Sequence, residues 1–167
     1  MNNANPKEQD IKIRKLEQCD PFILGDVWAS GTFGKVHIVD TPTGRIAIKS
    51  VTQLVGHANR ELDICIRVSS DNHPNIVKLL KYWTEKNIIY LVMEFMPETL
   101  RSLLNNLEIE KMRMKIDRMN HLMFQLACAL KYLEEIQLMH RDLKPDNILL
   151  NANLINLYLQ ILEVQSL

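Results

Sequence analysis

Residues 140–147 read HRDLKPDN, and the reading of this stretch decides the fold. Asp142 is placed to accept a proton from an attacking hydroxyl. Lys144, two positions later, is placed to neutralise charge on a phosphoryl group in flight. Asn147, five after Asp142, is placed to offer its carbonyl oxygen to a magnesium ion. A loop of no chemical purpose can contain an acid, a lysine and an asparagine. It has no reason to hold all three in this order behind His-Arg. The stretch looks like machinery for moving a phosphoryl group.

Outward from that loop, the chain changes texture twice. Met119, Leu122, Met123, Leu126, Leu130 and Leu133 recur at helical spacing and predict a helix from about Asp117 to Glu135, with these residues on one stripe. A short helix after Pro97 carries Leu100, Leu103 and Leu104. Further upstream, residues 21–51 hold three short β-rich runs separated by glycine-containing turns, with TPTG at 41–44 as a turn signal. ANRELDICIRVSS (58–70) supplies Leu62, Ile64, Cys65, Ile66 and Val68 for a short helix, which HPNIV (73–77) ends because the residue before proline avoids helical backbone. KLLKYWTEKN and IIYLVMEFM then read as two more strands joined at TEKN (84–87). The order is five strands with one helix inserted, followed by mostly helix.

Composition excludes several alternatives. Hydrophobic residues make up 47% of the chain, as in globular proteins, and Lys+Arg and Asp+Glu balance at 20 each. Net charge thus gives no pull toward nucleic acid or anionic membrane, and neither is expected as a partner. Cys19, Cys65 and Cys128 are widely spaced with no CxxC pair, so reduced thiols in a cytoplasmic or nuclear compartment are expected. Residues 1–18 are polar with no apolar signal core, and are expected to be a poorly ordered leader. No apolar run approaches the roughly 18 residues of a membrane span.

Two further stretches carry weaker signals. In WASGTFGKV (28–36), Gly31 and Gly34 flank the tip Thr32–Phe33 between two predicted strands, where glycine lets backbone N–H groups approach a phosphate. The same spacing is common in plain hairpin turns. IAIK (46–49) ends a strand on Lys49, ordinarily a solvated residue; Glu61, twelve positions on, is the carboxylate that would give it a fixed place.

Together and in this order, these residues resemble the eukaryotic protein kinase family, serine/threonine type, over roughly residues 20–150. The resemblance implies an α+β fold: a five-stranded antiparallel amino-terminal lobe with one helix (19–96), then an incomplete helical carboxy-terminal lobe running through the catalytic loop (97–150). It implies that Trp28, Ala29, Ser30, Gly31, Thr32, Phe33, Gly34, Lys35 and Val36 form the loop covering the ATP phosphates, with Ala29 in place of its first glycine. Ala47 would line the adenine pocket, Met93 would stand at the gatekeeper position, and Glu94 and Met96 would offer hinge backbone groups to adenine. Lys49 would pair with the α- and β-phosphates and Glu61, and Asp142, Lys144 and Asn147 would be catalytic base, phosphate cation and magnesium ligand. NREL (59–62) and PETL (97–100) look like the glycogen synthase kinase-3 branch, in which Arg60 and Arg141 would match two of a basic trio that reads a phosphate already on the substrate. The third, a lysine further on, has no match, since no Lys or Arg follows Lys144.

After Asn147 the resemblance ends abruptly. Kinases place Asp-Phe-Gly about a dozen residues beyond this Asn to hold magnesium, but counting on reaches Leu159, Gln160 and Ile161, with no Asp or Gly between Ile148 and Leu167. The resemblance implies that this second metal ligand, the activation segment and further helices are missing, so the magnesium site is incomplete. Losing one preorganised charge-stabilising group costs about 3–4 kcal/mol, roughly 10²–10³ in rate. The chain is accordingly expected to transfer phosphate poorly. The abrupt loss points to a frame change, an alternative exon or a premature stop. Residues 151–167 read as a divergent apolar tail whose spacing fits a strand (Ile155, Leu157, Leu159, Ile161) or a helix (Leu154, Leu157, Tyr158, Ile161, Leu162). A relative would begin its magnesium-holding strand near 153–155, and LYLQIL is aggregation-prone if exposed. Three readings remain: a piece of an ATP-dependent enzyme acting on protein hydroxyls; a non-catalytic pseudokinase binding nucleotide or a partner protein; and a fragment without function. An incomplete helical lobe would expose apolar surface, so dependence on a partner or chaperone is expected.

Overall fold

The β-rich stretch closes into one five-stranded antiparallel sheet in a computed structural model, which describes residues 24, 26–31, 34–52, 57–161 and 165–166. Its strands are β1 (Val27–Gly31), β2 (Gly34–Thr41), β3 (Gly44–Thr52), β4 (Leu79–Glu85) and β5 (Ile88–Glu94), in the spatial order β1-β2-β3-β5-β4. The expected leader, residues 1–18, lies outside the described residues. TEKN becomes a tight hairpin because Lys86 (φ 47°) and Asn87 (φ 64°) both take the left-handed backbone that a two-residue turn demands. Strand alternation then sorts the side chains. Lys49 lies opposite Leu91 and Ala47 opposite Met93, on the face where Ile89, Leu91 and Met93 form a cluster with Cys65, Val77 and Leu79. Cys65 comes from α1 (His57–Ser70), so this helix covers the same face.

A short strand, β6 (Glu98–Thr99), leads into α2 (Leu100–Ile109), which begins with a reciprocal cap: Thr99 accepts from the Ser102 backbone and Ser102 from the Thr99 backbone. The long predicted helix is α3 (Ile116–Glu135). Its buried stripe differs from the expected one: Leu122, Leu126, Ala129 and Leu133 are buried together with Gln125, whereas Met119 and Met123 are 43% and 53% exposed. Positions 122, 126, 129 and 133 step by four and three and hold one face. Met119 and Met123 fall on an adjoining face, so apolar character alone misplaced them. No helix among the described residues is long and apolar enough to cross a membrane.

Beyond α3 come β7 (Leu138–Met139), a 3₁₀ turn (Pro145–Asn147), β8 (Ile148–Leu150), β9 (Leu157–Leu159) and β10 (Gln165–Ser166). Of the two readings of the tail, the strand is found. β8 and β9 pair as a hairpin, with Ile148 opposite Leu159 and Leu150 opposite Leu157. This strand starts at Leu157 rather than near 153–155, because Asn151 Oδ1 accepts the backbone N–H groups of Ile155 and Asn156 and Leu154 turns at φ 54°. The other edge of β9 is covered by HPNIV: Leu159 N–H donates to Asn75 O (2.8 Å) and Val77 N–H to Leu159 O (3.1 Å). Leu157, Leu159 and Ile161 are thereby buried, so these residues of the run expected to be aggregation-prone when exposed belong to the core.

Candidate functional site

The HRDLKPDN loop is held at both ends by the tail. His140 is 4% exposed, and its Nε2 lies 2.7 Å from the carbonyl oxygen of Gln160. At the far end Gln160 N–H donates to Asn147 O (3.0 Å). Between these anchors Arg141 adopts φ 51°, a conformation that costs a non-glycine residue free energy and turns the chain sharply before Asp142.

Asp142, Lys144 and Asn147, predicted to act together, do lie together. Lys144 Nζ is 2.7 Å from Asp142 Oδ2, and Asn147 Nδ2 donates to the same oxygen (2.7 Å) and to the Asp142 carbonyl (2.8 Å). The Lys144 hydrogen bond holds the Asp142 carboxyl below the usual carboxylate range, and the Asn147 amide and the charges of Lys144 and His140 reinforce it against partial desolvation. A charged acceptor fixed beside an ammonium is suited to orienting a hydroxyl and compensating a phosphate. Asn147 is buried at 5% exposure, so its orientation is set by the fold.

The nucleotide-side residues fall on the sheet. Val36 pairs with Lys49 across β2 and β3, and Ala47 with Met93 across β3 and β5, so Val36, Ala47, Lys49 and Met93 share one face. Lys49 is 2% exposed, not the solvated residue that an isolated strand lysine would be. Glu94 closes β5, and half-buried Met96 follows on the segment leading to β6. Trp28, Ala29 and Ser30 are exposed along β1, and exposed Lys35 lies in β2 opposite Ser30. Thr32 and Phe33 lie outside the described residues, as does the side chain of Glu61, whose backbone belongs to α1. Gly34 has a reason independent of any ligand: at φ 115°, a Cβ there would stand 2.1 Å from the Ser50 carbonyl oxygen.

Sequence reasoning missed the residues that join these parts. Gln125 Oε1 accepts from Asn75 Nδ2 (2.9 Å) and Leu157 N–H (2.9 Å), and its Nε2 donates to Ile155 O (2.9 Å). Asn75 Nδ2 also donates to Leu157 O (3.0 Å). A lone glutamine inside LMFQLACAL (122–130) is the signal that would have found this clasp, since an amide at a core position needs partners. Ile161, next to Gln160, accepts a hydrogen bond from Cys65 Sγ at its carbonyl (3.8 Å) and so connects the loop side to α1.

Comparison with known proteins agrees with this geometry. The family profile described as protein kinase domain matches residues 25–161, eleven positions beyond the 150 at which the resemblance was expected to end. The chain is 34% identical over 137 residues to Aurora/IPL1-related protein kinase 2 of Caenorhabditis elegans, covering 78% of this chain and 44% of that protein. It is 35% identical over 150 residues to glycogen synthase kinase 3 of Trypanosoma brucei brucei, covering 83% and 43%. It is also 35% identical over 149 residues to protein kinase gsk3 of Schizosaccharomyces pombe, covering 84% and 36%. The matched stretch thus spans less than half the length of each of these relatives.

Proposed function

The chain belongs to the protein kinase family, of the serine/threonine type, and on that premise we propose that it is an ATP-directed module with little phosphotransferase activity of its own. Relatives of the glycogen synthase kinase-3 branch match it as closely as an Aurora-type kinase does. The observation that carries the reading is the Asp142–Lys144–Asn147 cluster, with the ammonium and amide both on one carboxylate oxygen. In the family's reaction, which moves the γ-phosphoryl of ATP to a protein serine or threonine, Asp142 would receive the hydroxyl proton and Lys144 would offset phosphate charge. Adenine would lie against Val36, Ala47 and Met93, with Glu94 and Met96 supplying backbone partners and Lys49 meeting the phosphates. The protein substrate and a cytoplasmic or nuclear setting belong to the same proposal.

The non-catalytic reading is favoured over full activity by the residues about a dozen after Asn147. Leu159, Gln160 and Ile161 stand where the family carries its metal-holding acid, and Leu159 and Ile161 are buried. Dependence on a partner protein or chaperone is also proposed, on the strength of exposed Ile109, Met112, Ile116 and Phe124. The test is thermal stabilisation of the full chain by ATP. A saturable shift that Lys49→Ala removes is expected, and a chain whose melting is indifferent to ATP would contradict the reading.

A further inference from the structure

Kinase chemistry relies on magnesium held beside the phosphates, and the described donors around the catalytic loop do not fit that ion. The β8–β9 hairpin sets Gln160 N–H on the Asn147 carbonyl, so residues 160–161 are the ones that the fold brings beside Asn147. Ile161 offers no ligand atom from its side chain, is 7% exposed, and shares an apolar cavity with Cys65, Leu79 and Met93. Its carbonyl is engaged by the Cys65 thiol. Asp142 is paired to an ammonium 2.7 Å away, so a divalent cation approaching that carboxylate would meet a like charge already in place. The Asn147 amide nitrogen is held by the same aspartate, which leaves its Oδ1 as a single neutral donor with no carboxylate beside it except the one already paired to Lys144. Magnesium demands near-octahedral oxygen donors, commonly with one or two carboxylates. Among the described residues, no group of three His, Cys, Asp or Glu side chains is placed to hold a metal.

We propose that the cleft takes a nucleoside triphosphate without a divalent cation, with Ile161 as an apolar plug joining the catalytic loop to α1 where a metal-holding acid would otherwise stand. The proposal rests on the ATP-binding reading above. Charge compensation then falls to protein cations, Lys49 on β3 and Lys144 at the loop, the latter shared with Asp142. The plug also has an energetic consequence. Ile161 is buried and lines an otherwise largely apolar cavity, so a charge placed at that position would be desolvated without a partner.

The test is ATP affinity of the full chain, measured by titration in excess Mg²⁺ and in EDTA. The two dissociation constants are expected to agree within about threefold. Ile161→Asp is expected to melt lower and to gain magnesium dependence of about tenfold or more. If that variant does not fold, the wild-type comparison alone decides. Binding to the wild type that is tighter in Mg²⁺ by about tenfold or more would overturn the proposal while leaving the ATP-binding reading intact. Absence of ATP binding in both buffers would overturn the two together.

Discussion

At the scale of single residues, Asp142 and Gly34 are fixed by different physics. Asp142 stays ionised because Lys144 and Asn147 both donate to it. A carboxyl whose folded value is lowered stabilises the fold fully above its ordinary value of 3.8, and that stabilisation is lost as pH falls through the lower folded value. The Asp142 carboxyl should therefore titrate below 3.8 when followed by NMR, and Lys144→Ala should move the midpoint up. An unmoved midpoint in that variant would show that the ion pair is not what lowers it. Gly34 sits against the Ser50 carbonyl with no room for a methyl group. Gly34→Ala should destabilise the chain by at least about 2 kcal/mol in urea unfolding. The chemistry of Asp142 was legible in the sequence, because residue type and spacing define it. The constraint on Gly34 was only half legible: two glycines announced a close approach, but nothing local said that β3 is what approaches.

At the scale of elements, sheet and helices were readable where their pattern is periodic, and left open where long-range pairing decides. The hairpin at TEKN and the helix over 116–135 follow from local signals. The tail segment LYL fits two periodicities, and its strand form is settled by β8 on one side and by Asn75 and Val77 on the other. Those partners include Asn75, which pairs with Leu159 across 84 positions, beyond the reach of any window. Gln125 is the test of this interface. Gln125→Leu keeps the volume but leaves the buried Leu157 N–H and the Asn75 amide without this acceptor, and should cost about 2 kcal/mol. A loss below about 0.5 kcal/mol would mean that the clasp is incidental. Thr99→Ala, which removes the α2 cap, should cost about 1 kcal/mol and leave the Gln125 contribution unchanged.

At the scale of the whole molecule, α3 is apolar on two faces. Leu122, Leu126, Ala129 and Leu133 face the core, while Ile116, Met119, Met123 and Phe124 face outward, Phe124 at 69% exposure. A helix apolar on both sides ordinarily has cover on both. The chain by itself should therefore self-associate, and Phe124→Glu with Met123→Lys should shift it toward monomer on a sizing column without lowering its melting temperature. A wild-type chain that runs as a soluble, cooperatively melting monomer would contradict this. The same scale shows why activity is harder to read than family. Family resides in short local motifs, whereas transfer needs every charge around the phosphates in place at once, and in the proposed reading buried Ile161 stands where one such charge would be. The most direct measurement is transfer of labelled γ-phosphoryl from ATP to a general protein substrate by this chain in the presence of Mg²⁺. No labelling above that of the Asp142→Ala variant is predicted. Labelling that Asp142→Ala abolishes would contradict the account, and would mean that the site completes its charge compensation without the missing acid.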